Sequence, residues 1–292
     1  MNSTQKHAYL IIAHNKFDQL QILLDLLDDP RNDIYLHVDK KSIEFDPESI
    51  HLQYAKLFVV DRISVAWGGD TLIACELILF KAAASGHYQY YHLISGMDLP
   101  LKTQDEIHAF FDANAGTNYI KFDTKANENK KFYTRTQHYH LFQNVIGRRK
   151  DLPVIPLKII KKVFLWLQKV VKFRRKEFFP LYKGAQWVSI TDDMVQFLLQ
   201  NEAKIRKQFF CSYCADEVFL SSVAMSSPLV DTIEDSYYRC IDWERGSPYT
   251  YRKEDVPQLL DSVGMFGRKF DIDLDPESVH MIADYLKNKQ AQ

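Results

Sequence analysis

Cysteine is scarce in this chain of 292 residues, which contains only four. Four are too few for a disulfide framework at this length, because such frameworks belong to short, cysteine-dense chains. Two of them form the motif CSYC, but no second pair is present to complete a zinc site. We therefore expect ordinary reduced thiols at Cys75, Cys211, Cys214 and Cys240.

The chain also lacks a long hydrophobic run and a strong net charge. No stretch reaches the ~18 uncharged residues of a membrane-spanning helix, and the apolar run AYLIIA is too short for a signal peptide. The formal net charge of −1 argues against a general nucleic-acid-binding protein. With 46% hydrophobic and 26% charged residues, the composition fits one large α/β domain, or one with a small appendage. Because no signal peptide or membrane span is recognised, we expect a cytoplasmic protein, and the net charge predicts that it does not bind nucleic acid.

The segment Tyr90–Thr103, YYHLISGMDLPLKT, has the pattern of a buried strand that ends in a polar turn. Pro100 ends any further ladder pairing. In open α/β sheets ligands bind beyond the carboxyl ends of the strands, so Asp98 stands where a ligand would be met. The alternative is that Asp98 caps the next helix, but Thr103 with Glu106 three residues later forms a better capping box.

A βαβ unit is predicted near the start of the chain. Ala8–Ala13 is an apolar run of strand length that ends at the polar tip His14, and apolar residues at helical spacing follow. The next strand, DIYLHVDKKS, ends in charge at Asp39. Because both tips should lie on the same sheet edge as Asp98, the sequence predicts a ligand site there.

Two more short strands are predicted, at Leu57–Val60 and, in the letters ISVAW, at Ile63–Trp67. A mostly apolar helix follows from about Thr71 to Ala84. The glycines Gly68 and Gly69 at its start allow two interpretations, a cradle for phosphate or close packing of the backbone. Since no lysine follows at P-loop spacing, we favour close packing.

Charged groups recur at three later points. Asp216 and Glu217 stand at the start of an apolar helix in ADEVFLSSV. The helix dipole stabilises carboxylates there, and a general base is the functional alternative. Arg245, Arg268 and Lys269 lie on loops that contain glycine or proline, and cations on such loops suit a diphosphate.

A basic helical insertion is predicted at about 146–178. Within 157–176, at helical spacing, apolar residues surround one narrow stripe of lysines, namely Lys158, Lys161, Lys162, Lys169, Lys172 and Lys176. One interpretation is a helix that lies on an anionic membrane with Phe164, Trp166 and Leu167 in the acyl boundary. The other is a core helix whose lysine face is solvated.

Seven blocks follow one another along most of the chain: AYLIIAH, YLHVDKKS, SVAWGGDTLIACELI, HLISGMDLPLKT, GAQWVSIT, ADEVFLSSV and MFGRKFD. In this order they resemble the core-2/I-branching β-1,6-N-acetylglucosaminyltransferases and their peptide O-xylosyltransferase relatives. The resemblance implies a GT-A-like α/β fold over 1–292, a single Rossmann-type nucleotide-sugar-binding domain whose mostly parallel central sheet is flanked by helices. It also implies an inverting transfer from a UDP-sugar to a hydroxyl, without a metal ion.

The resemblance implies roles for particular residues. Glu217 matches the base of the family, and Lys269 in RKFD matches the lysine that meets the donor diphosphate. Arg245 lies nearest to the arginine partner of that lysine. Asp39 is implied on the nucleoside side of the donor, and His14 at the neighbouring strand tip is a further candidate for donor binding.

Most GT-A enzymes use an Asp-x-Asp pair to hold a divalent cation, whereas SGMDLP offers Asp98 alone. We place Asp98 in the predicted donor site. Without a metal, the positive charge that stabilises the leaving diphosphate must come from side chains, while a base deprotonates the acceptor hydroxyl. Trp67, Trp187 and Trp243 are candidates for stacking on a sugar, although a buried tryptophan is more often part of the core.

Animal members of this family are Golgi proteins with a membrane anchor, a stem and disulfides, and this chain shows none of them. The sequence therefore favours a bacterial-type cytoplasmic enzyme, free or peripheral on the inner membrane face. It would move a sugar, N-acetylglucosamine by resemblance, onto a glycan or lipid-linked acceptor in surface polysaccharide synthesis. The alternatives are an inactive carbohydrate- or nucleotide-binding protein on the same fold, and a Mn-dependent transferase that uses Asp98.

Overall fold

The computed structural model describes residues 6–130 and 132–290. Its strands are β1 (His7–Ala13), β2 (Asn32–Val38), β3 (Lys56–Val59), β4 (Tyr90–Ser95), β5 (Asp98–Pro100), β6 (Asn118–Tyr119), β7 (Ser189–Thr191), β8 (Ile233–Glu234), β9 (Arg239–Ile241) and β10 (Phe266–Arg268). Its α-helices are α1 (Phe17–Leu27), α2 (Asp70–Ala83), α3 (Gln104–Ala113), α4 (Thr124–Asn129), α5 (Tyr133–Gln137), α6 (Gln143–Ile146), α7 (Ile155–Val170), α8 (Asp192–Gln200), α9 (Glu202–Phe209), α10 (Phe219–Ala224), α11 (Val256–Asp261) and α12 (Pro276–Gln290).

Seven strands form the central sheet, in the order β3-β2-β1-β4-β7-β6-β8. β1 pairs in parallel with β2 and β4, and β2 pairs in parallel with β3. β7 runs antiparallel to both of its neighbours, while β6 and β8 are parallel. The predicted α/β class with a mostly parallel central sheet is confirmed.

Helices cover both faces of this sheet, because side chains along a strand alternate between the faces. In β1, Ala8 and Leu10 join a core that includes residues of α2, α8, α9 and α10. Tyr9 and Ile11 join a second core with residues of α1, α3, α11 and α12. A strand buried on both faces has the continuous apolar run from which β1 was predicted.

A second sheet of three strands, in the order β5-β10-β9, lies beyond the end of β4. β10 is antiparallel to β5 and parallel to β9. The backbone N–H of Phe270 donates to the carbonyl oxygen of Met97 at 2.9 Å. This sheet therefore brings the residues that follow β10 against the tip of β4, where the sequence predicts a ligand.

The local predictions agree with the structure at the βαβ unit and at α3. The Thr103 hydroxyl accepts from the backbone N–H of Glu106, and the Glu106 carboxylate accepts from the backbone N–H of Thr103, as in a capping box. The strand predicted at Ile63–Trp67 is wrong. The His37 ring instead accepts the N–H of Ile63, so a side chain replaces the strand partner that a ladder would need.

The basic helix is present as α7, shorter at its C-terminal end than the predicted 157–176. None of the helices in the described part of the chain combines the length and apolar character needed to cross a bilayer. All four cysteines are unpaired.

Candidate functional site

The carboxyl ends of β1 and β2 form one border of the candidate site. The backbone N–H of Asp39 donates to the carbonyl oxygen of Ala13 at 2.9 Å, which joins the two tips. The Arg62 guanidinium donates to three carbonyl oxygens within 38–42 and fixes the turn. The Asp39 carboxylate accepts from the backbone N–H of Lys41 and lies 3.2 Å from its ammonium group. Asp39 is thus fixed at the sheet edge where the sequence predicts it.

His14 is the exposed residue that follows β1. Partial desolvation of its ring lowers the pKa of His14, and the negative charge of Asp39 opposes this fall. The positive charges of Lys41 and Arg268 lower the pKa of His14 further. Since both Asp39 and Arg268 act electrostatically on this ring, His14 lies near the tip of β2 and the end of β10.

Asp98 is the first residue of β5 and is 1% exposed. Its carboxylate accepts from the Arg268 guanidinium at 2.6 Å and from the backbone N–H of Ser95 at 2.9 Å. Burial raises the pKa of Asp98, and the charge of Arg268 opposes the rise. Each oxygen of the Asp98 carboxylate has a partner within the protein, and Asp98 positions Arg268 at the sheet edge. The place of Asp98 in the donor site stays a prediction.

The Trp187 ring supports the same cation. The Arg268 guanidinium lies 4.4 Å from the centroid of this ring, and the Arg268 side chain is 19% exposed. Trp187 precedes β7, and the antiparallel pairing of β7 with β4 brings it to the carboxyl end of β4. Trp187 is buried, so it supports a cation from within the core and does not stack on a sugar.

Lys269 follows Arg268 and is half-buried. The buried side chain of Gln19 fixes the segment around it. The Gln19 amide donates to the carbonyl oxygens of Gly96 and Phe270 and accepts from the backbone N–H of Ile272. Gln19 therefore joins the tip of β4 to the chain after Lys269. Sequence reasoning missed this residue, although a glutamine one turn before a buried leucine on an apolar helix face is a readable signal.

Arg245 and Trp243 lie on the loop after β9. The Arg245 guanidinium is paired with Asp242 and, at 2.8 Å, with Asp255. Its charge is therefore balanced by two carboxylates, whereas the sequence predicts it as a partner of Lys269 on the donor. Trp243 is exposed. Because β9 and β10 are parallel, Trp243 lies off the same end of the second sheet as Lys269.

Glu217 lies just before α10, and its side chain is 36% exposed. Its Oε2 atom is 3.3 Å from the Arg135 guanidinium and 3.6 Å from the Lys183 ammonium group. No sequence pattern points to either cation. An accessible carboxylate that two cations hold in one place can accept a proton from a substrate hydroxyl.

Gly184 packs closely against the backbone at Glu217. Its backbone N–H donates to the carbonyl oxygen of Glu217 at 2.8 Å. A Cβ atom at Gly184 would lie 2.1 Å from the Ser221 Oγ and 2.6 Å from the Lys121 carbonyl oxygen. Only glycine allows this approach, which fixes the backbone of the candidate base.

Two buried acidic side chains, Asp216 and Glu76, lie near Glu217 in this part of the structure. Burial and then the negative charge of Glu217 raise the pKa of Asp216 to about 7. Its Oδ1 atom is buried and has no hydrogen-bond partner among the described residues. Glu76 of α2 is fully buried and accepts from the Gln186 amide at 2.9 Å. Burial and the charge of Asp216 raise the pKa of Glu76 well above its usual range.

The segment just before β7 contacts both Arg268 and Glu76. Arg268 packs on Trp187, and the preceding residue, Gln186, donates to Glu76. The negative charge of Asp216, the residue before Glu217, acts on Glu76.

Trp67 lies next to the loop that precedes Glu217. Its ring meets the Tyr213 ring edge-on, with centroids 5.9 Å apart, and the Arg148 guanidinium lies 4.4 Å from the centroid of the Trp67 ring. Gly68 has a φ of +67°, and a Cβ atom there would lie 3.0 Å from the Cys214 sulfur. The glycines at this turn serve close packing, in agreement with the interpretation that the sequence favours.

Across 6–130 and 132–290, no group of three or more His, Cys, Asp and Glu side chains is arranged to hold a metal ion.

Comparison with known proteins gives consistent matches. A family model described as Core-2/I-Branching enzyme matches residues 7–262. Xylosyltransferase 2 of Canis lupus familiaris is 22% identical over 314 residues, which cover 96% of this chain and 33% of that protein. The human beta-1,3-galactosyl-O-glycosyl-glycoprotein beta-1,6-N-acetylglucosaminyltransferase is 22% identical over 322 residues, which cover 97% of this chain and 70% of that protein.

This chain therefore spans about a third of the length of the xylosyltransferases that it matches. A crystal structure of mouse xyloside xylosyltransferase 1 in its apo form covers 89% of this chain and 97% of its own, at 8% identity. Its TM-score is 0.36, which is too low to support an argument about the fold.

Proposed function

Because this chain belongs to the Core-2/I-branching enzyme family, we propose that it is an inverting, GT-A-like glycosyltransferase that uses a UDP-sugar. The observation that supports this most is that the chain presents both an accessible carboxylate, Glu217, and a cation, Arg268, that Asp98 holds beyond the end of β4, with Lys269 next to Arg268 in the chain. The names of the relatives favour a hexosyl or pentosyl donor, and we propose N-acetylglucosamine. The acceptor is a hydroxyl of a glycan or a lipid-linked glycan.

In this proposal the donor binds at the edge formed by β1, β2 and β10. Asp39 and His14 lie on the nucleoside side, and Arg268 and Lys269 meet the diphosphate. Negative charge on the diphosphate grows as the glycosidic bond to it breaks, so fixed cations stabilise the transition state more than the ground state. Asp98 and the ring beneath Arg268 hold this cation in place before the donor arrives.

Glu217 then acts as the general base. It takes the proton of the acceptor hydroxyl while the hydroxyl oxygen attacks the anomeric carbon from the face opposite the diphosphate. A single displacement of this kind inverts the anomeric configuration. Trp67 packs against Tyr213 in the loop before Glu217, and Trp243 lies off the same end of the second sheet as Lys269, so we propose the first for stacking on the acceptor and the second for stacking on the donor.

We further propose that the reaction needs no metal ion. The support is the chemistry at Asp98, whose two oxygens already accept from Arg268 and Ser95 while the side chain is buried. To ligate Mn²⁺, Asp98 would have to release Arg268 and leave that cation unpaired. We therefore rank a Mn-dependent transferase below the metal-free enzyme.

The remaining alternative is an inactive carbohydrate- or nucleotide-binding protein on the same fold. It is less well supported, because a protein that only binds sugar has no need of an accessible carboxylate such as Glu217, held in place by Arg135 and Lys183. We propose a bacterial-type enzyme of surface polysaccharide synthesis that works at the cytoplasmic face of the membrane.

The test is release of UDP from a panel of UDP-sugars, with and without EDTA, after thermal stabilisation has identified the donors that bind. We expect turnover with at least one bound donor and no effect of EDTA. Turnover that EDTA abolishes and Mn²⁺ restores would contradict the metal-free mechanism. Binding without turnover under any condition would favour the inactive binding protein.

A further inference from the structure

The outward side of α7 is apolar. The side chains of this helix that face solvent include Ile159, Ile160, Val163, Trp166, Leu167 and Val170. The Trp166 side chain, the largest of them, is 61% exposed. A surface helix of a globular protein usually turns its apolar side toward the core, so this arrangement is the reverse of the ordinary one. The core-helix interpretation of this segment is wrong.

Polar contacts fix the helix in this orientation. The buried Gln168 amide donates to the carbonyl oxygen of Tyr139 and accepts from its backbone N–H. The Lys161 ammonium donates to the Gln143 side chain and lies 4.8 Å from the centroid of the Tyr213 ring. Turning the apolar side inward would break these bonds and leave buried polar groups unpaired.

On the inward side of α7, the structure differs from the sequence prediction in two details. Lys158 and Lys161, which the sequence places on a solvated stripe, are half-buried, and Lys158 donates to the carbonyl oxygen of Arg149. Phe164, which the sequence places in the acyl boundary, is half-buried on the inward side as well. Trp166 and Leu167 do face outward.

Every charged residue from 152 to 176 is a lysine or an arginine, since no Asp or Glu occurs between Asp151 and Glu177. Exposed cations lie along one edge of the apolar surface and beyond its C-terminal end, namely Lys162, Lys169, Lys172, Arg174 and Lys176. Three of these, Lys169, Lys172 and Arg174, also line a groove between the end of α7 and α5.

We propose that the outward side of α7 docks on an anionic lipid bilayer. The apolar side chains enter the boundary between headgroups and acyl chains, and the flanking lysines meet lipid phosphates. A second copy of this chain fits the surface less well, because pairing two such helices brings cations of the same sign together.

The docking surface stands on these observations and does not depend on the proposed function. It does adjoin the candidate acceptor side, since the Tyr213 ring contacts both Lys161 and the ring of Trp67. A docked enzyme would therefore hold that side of the site close to the membrane, where a lipid-linked hydroxyl is found.

The experiment is flotation of the purified protein with vesicles of phosphatidylcholine, alone or mixed two to one with phosphatidylglycerol. We expect binding to the anionic vesicles that is at least about tenfold tighter than to the neutral ones. The apolar variant combines Val163→Asn, Trp166→Ser and Val170→Asn. It should bind at least about tenfold more weakly at an unchanged melting temperature, because these side chains are already exposed to solvent.

The matched control combines Ile43→Asn and Val263→Asn, which are 91% and 78% exposed outside α7 and should leave binding unchanged. The charge variant, Lys162→Glu with Lys169→Glu, should lose binding to anionic vesicles and respond little to salt. The proposal is overturned if the wild-type protein does not float with anionic vesicles, or if the apolar variant binds them as well as the wild type does. It is equally overturned if the protein forms a dimer that only the apolar variant abolishes and does not bind vesicles.

Discussion

Asp98→Asn tests the buried ion pair at the centre of the proposed donor site. The Asp98 carboxylate lies 2.6 Å from the Arg268 guanidinium. The Asp98 side chain is 1% exposed and the Arg268 side chain 19% exposed, so the pair is largely shielded from solvent. Breaking a buried pair by removing one partner costs about 3–5 kcal/mol, because the other charge is left uncompensated. Burial raises the pKa of Asp98 in spite of Arg268, so desolvation already offsets part of the attraction. We therefore expect a loss at the low end of this range, about 3 kcal/mol of unfolding free energy.

Asp98→Asn removes the charge of the side chain but keeps its size and shape. Its side-chain oxygen can still accept from the backbone N–H of Ser95, so the turn after β4 keeps its hydrogen bond. The assay is urea unfolding together with the affinity for UDP, which should fall roughly tenfold once Arg268 is no longer held in place. The matched control is Glu277→Gln in the exposed pair with Lys253, 2.7 Å apart, which should cost less than about 1 kcal/mol.

Two results would refute this reasoning. If Asp98→Asn unfolds within about 1 kcal/mol of the wild type, the pair does not stabilise the second sheet. If stability falls but the affinity for UDP is unchanged, Arg268 is not a ligand of the diphosphate, and Lys269 alone remains.

Two further predictions concern single charges. The pKa of Asp216 is raised from its usual value near 4 to about 7, so the folded state binds more protons between these values and stability falls as pH rises. Asp216→Asn should flatten this fall and gain up to about 4 kcal/mol at pH 8 in unfolding measurements, and an unchanged pH profile would contradict the assignment. Lys269→Ala should weaken UDP binding and slow transfer together, unlike the exposed control Lys204→Ala, and unchanged UDP affinity would remove Lys269 from the donor site.

Features that depend on neighbouring residues could be predicted from the sequence. The apolar run of β1, the capping box at Thr103 and the position of Asp39 at a strand end all follow from short stretches of chain. The common sheet edge also follows, because parallel strands joined by helices end on the same side. This is why the α/β class and the location of the candidate site could be predicted together.

Features that depend on distant residues could not. Asp98 and Arg268 are separated by 170 positions, and nothing in either neighbourhood predicts their pairing. The partners of Glu217, Arg135 and Lys183, come from segments whose own patterns are irregular. The orientation of α7 depends in the same way on Gln168, whose backbone partner lies 29 positions away. Periodicity predicts that a helix has two sides but does not determine which side faces the core.

The most direct test of the proposed mechanism is transfer by Glu217→Gln, measured beside its affinity for UDP. We predict that transfer falls about 10²–10⁴-fold while UDP affinity stays the same, because the base acts on the acceptor and not on the nucleotide. The exposed control Glu244→Gln should leave both unchanged. Transfer by Glu217→Gln at the wild-type rate would contradict the assignment of Glu217 as the general base.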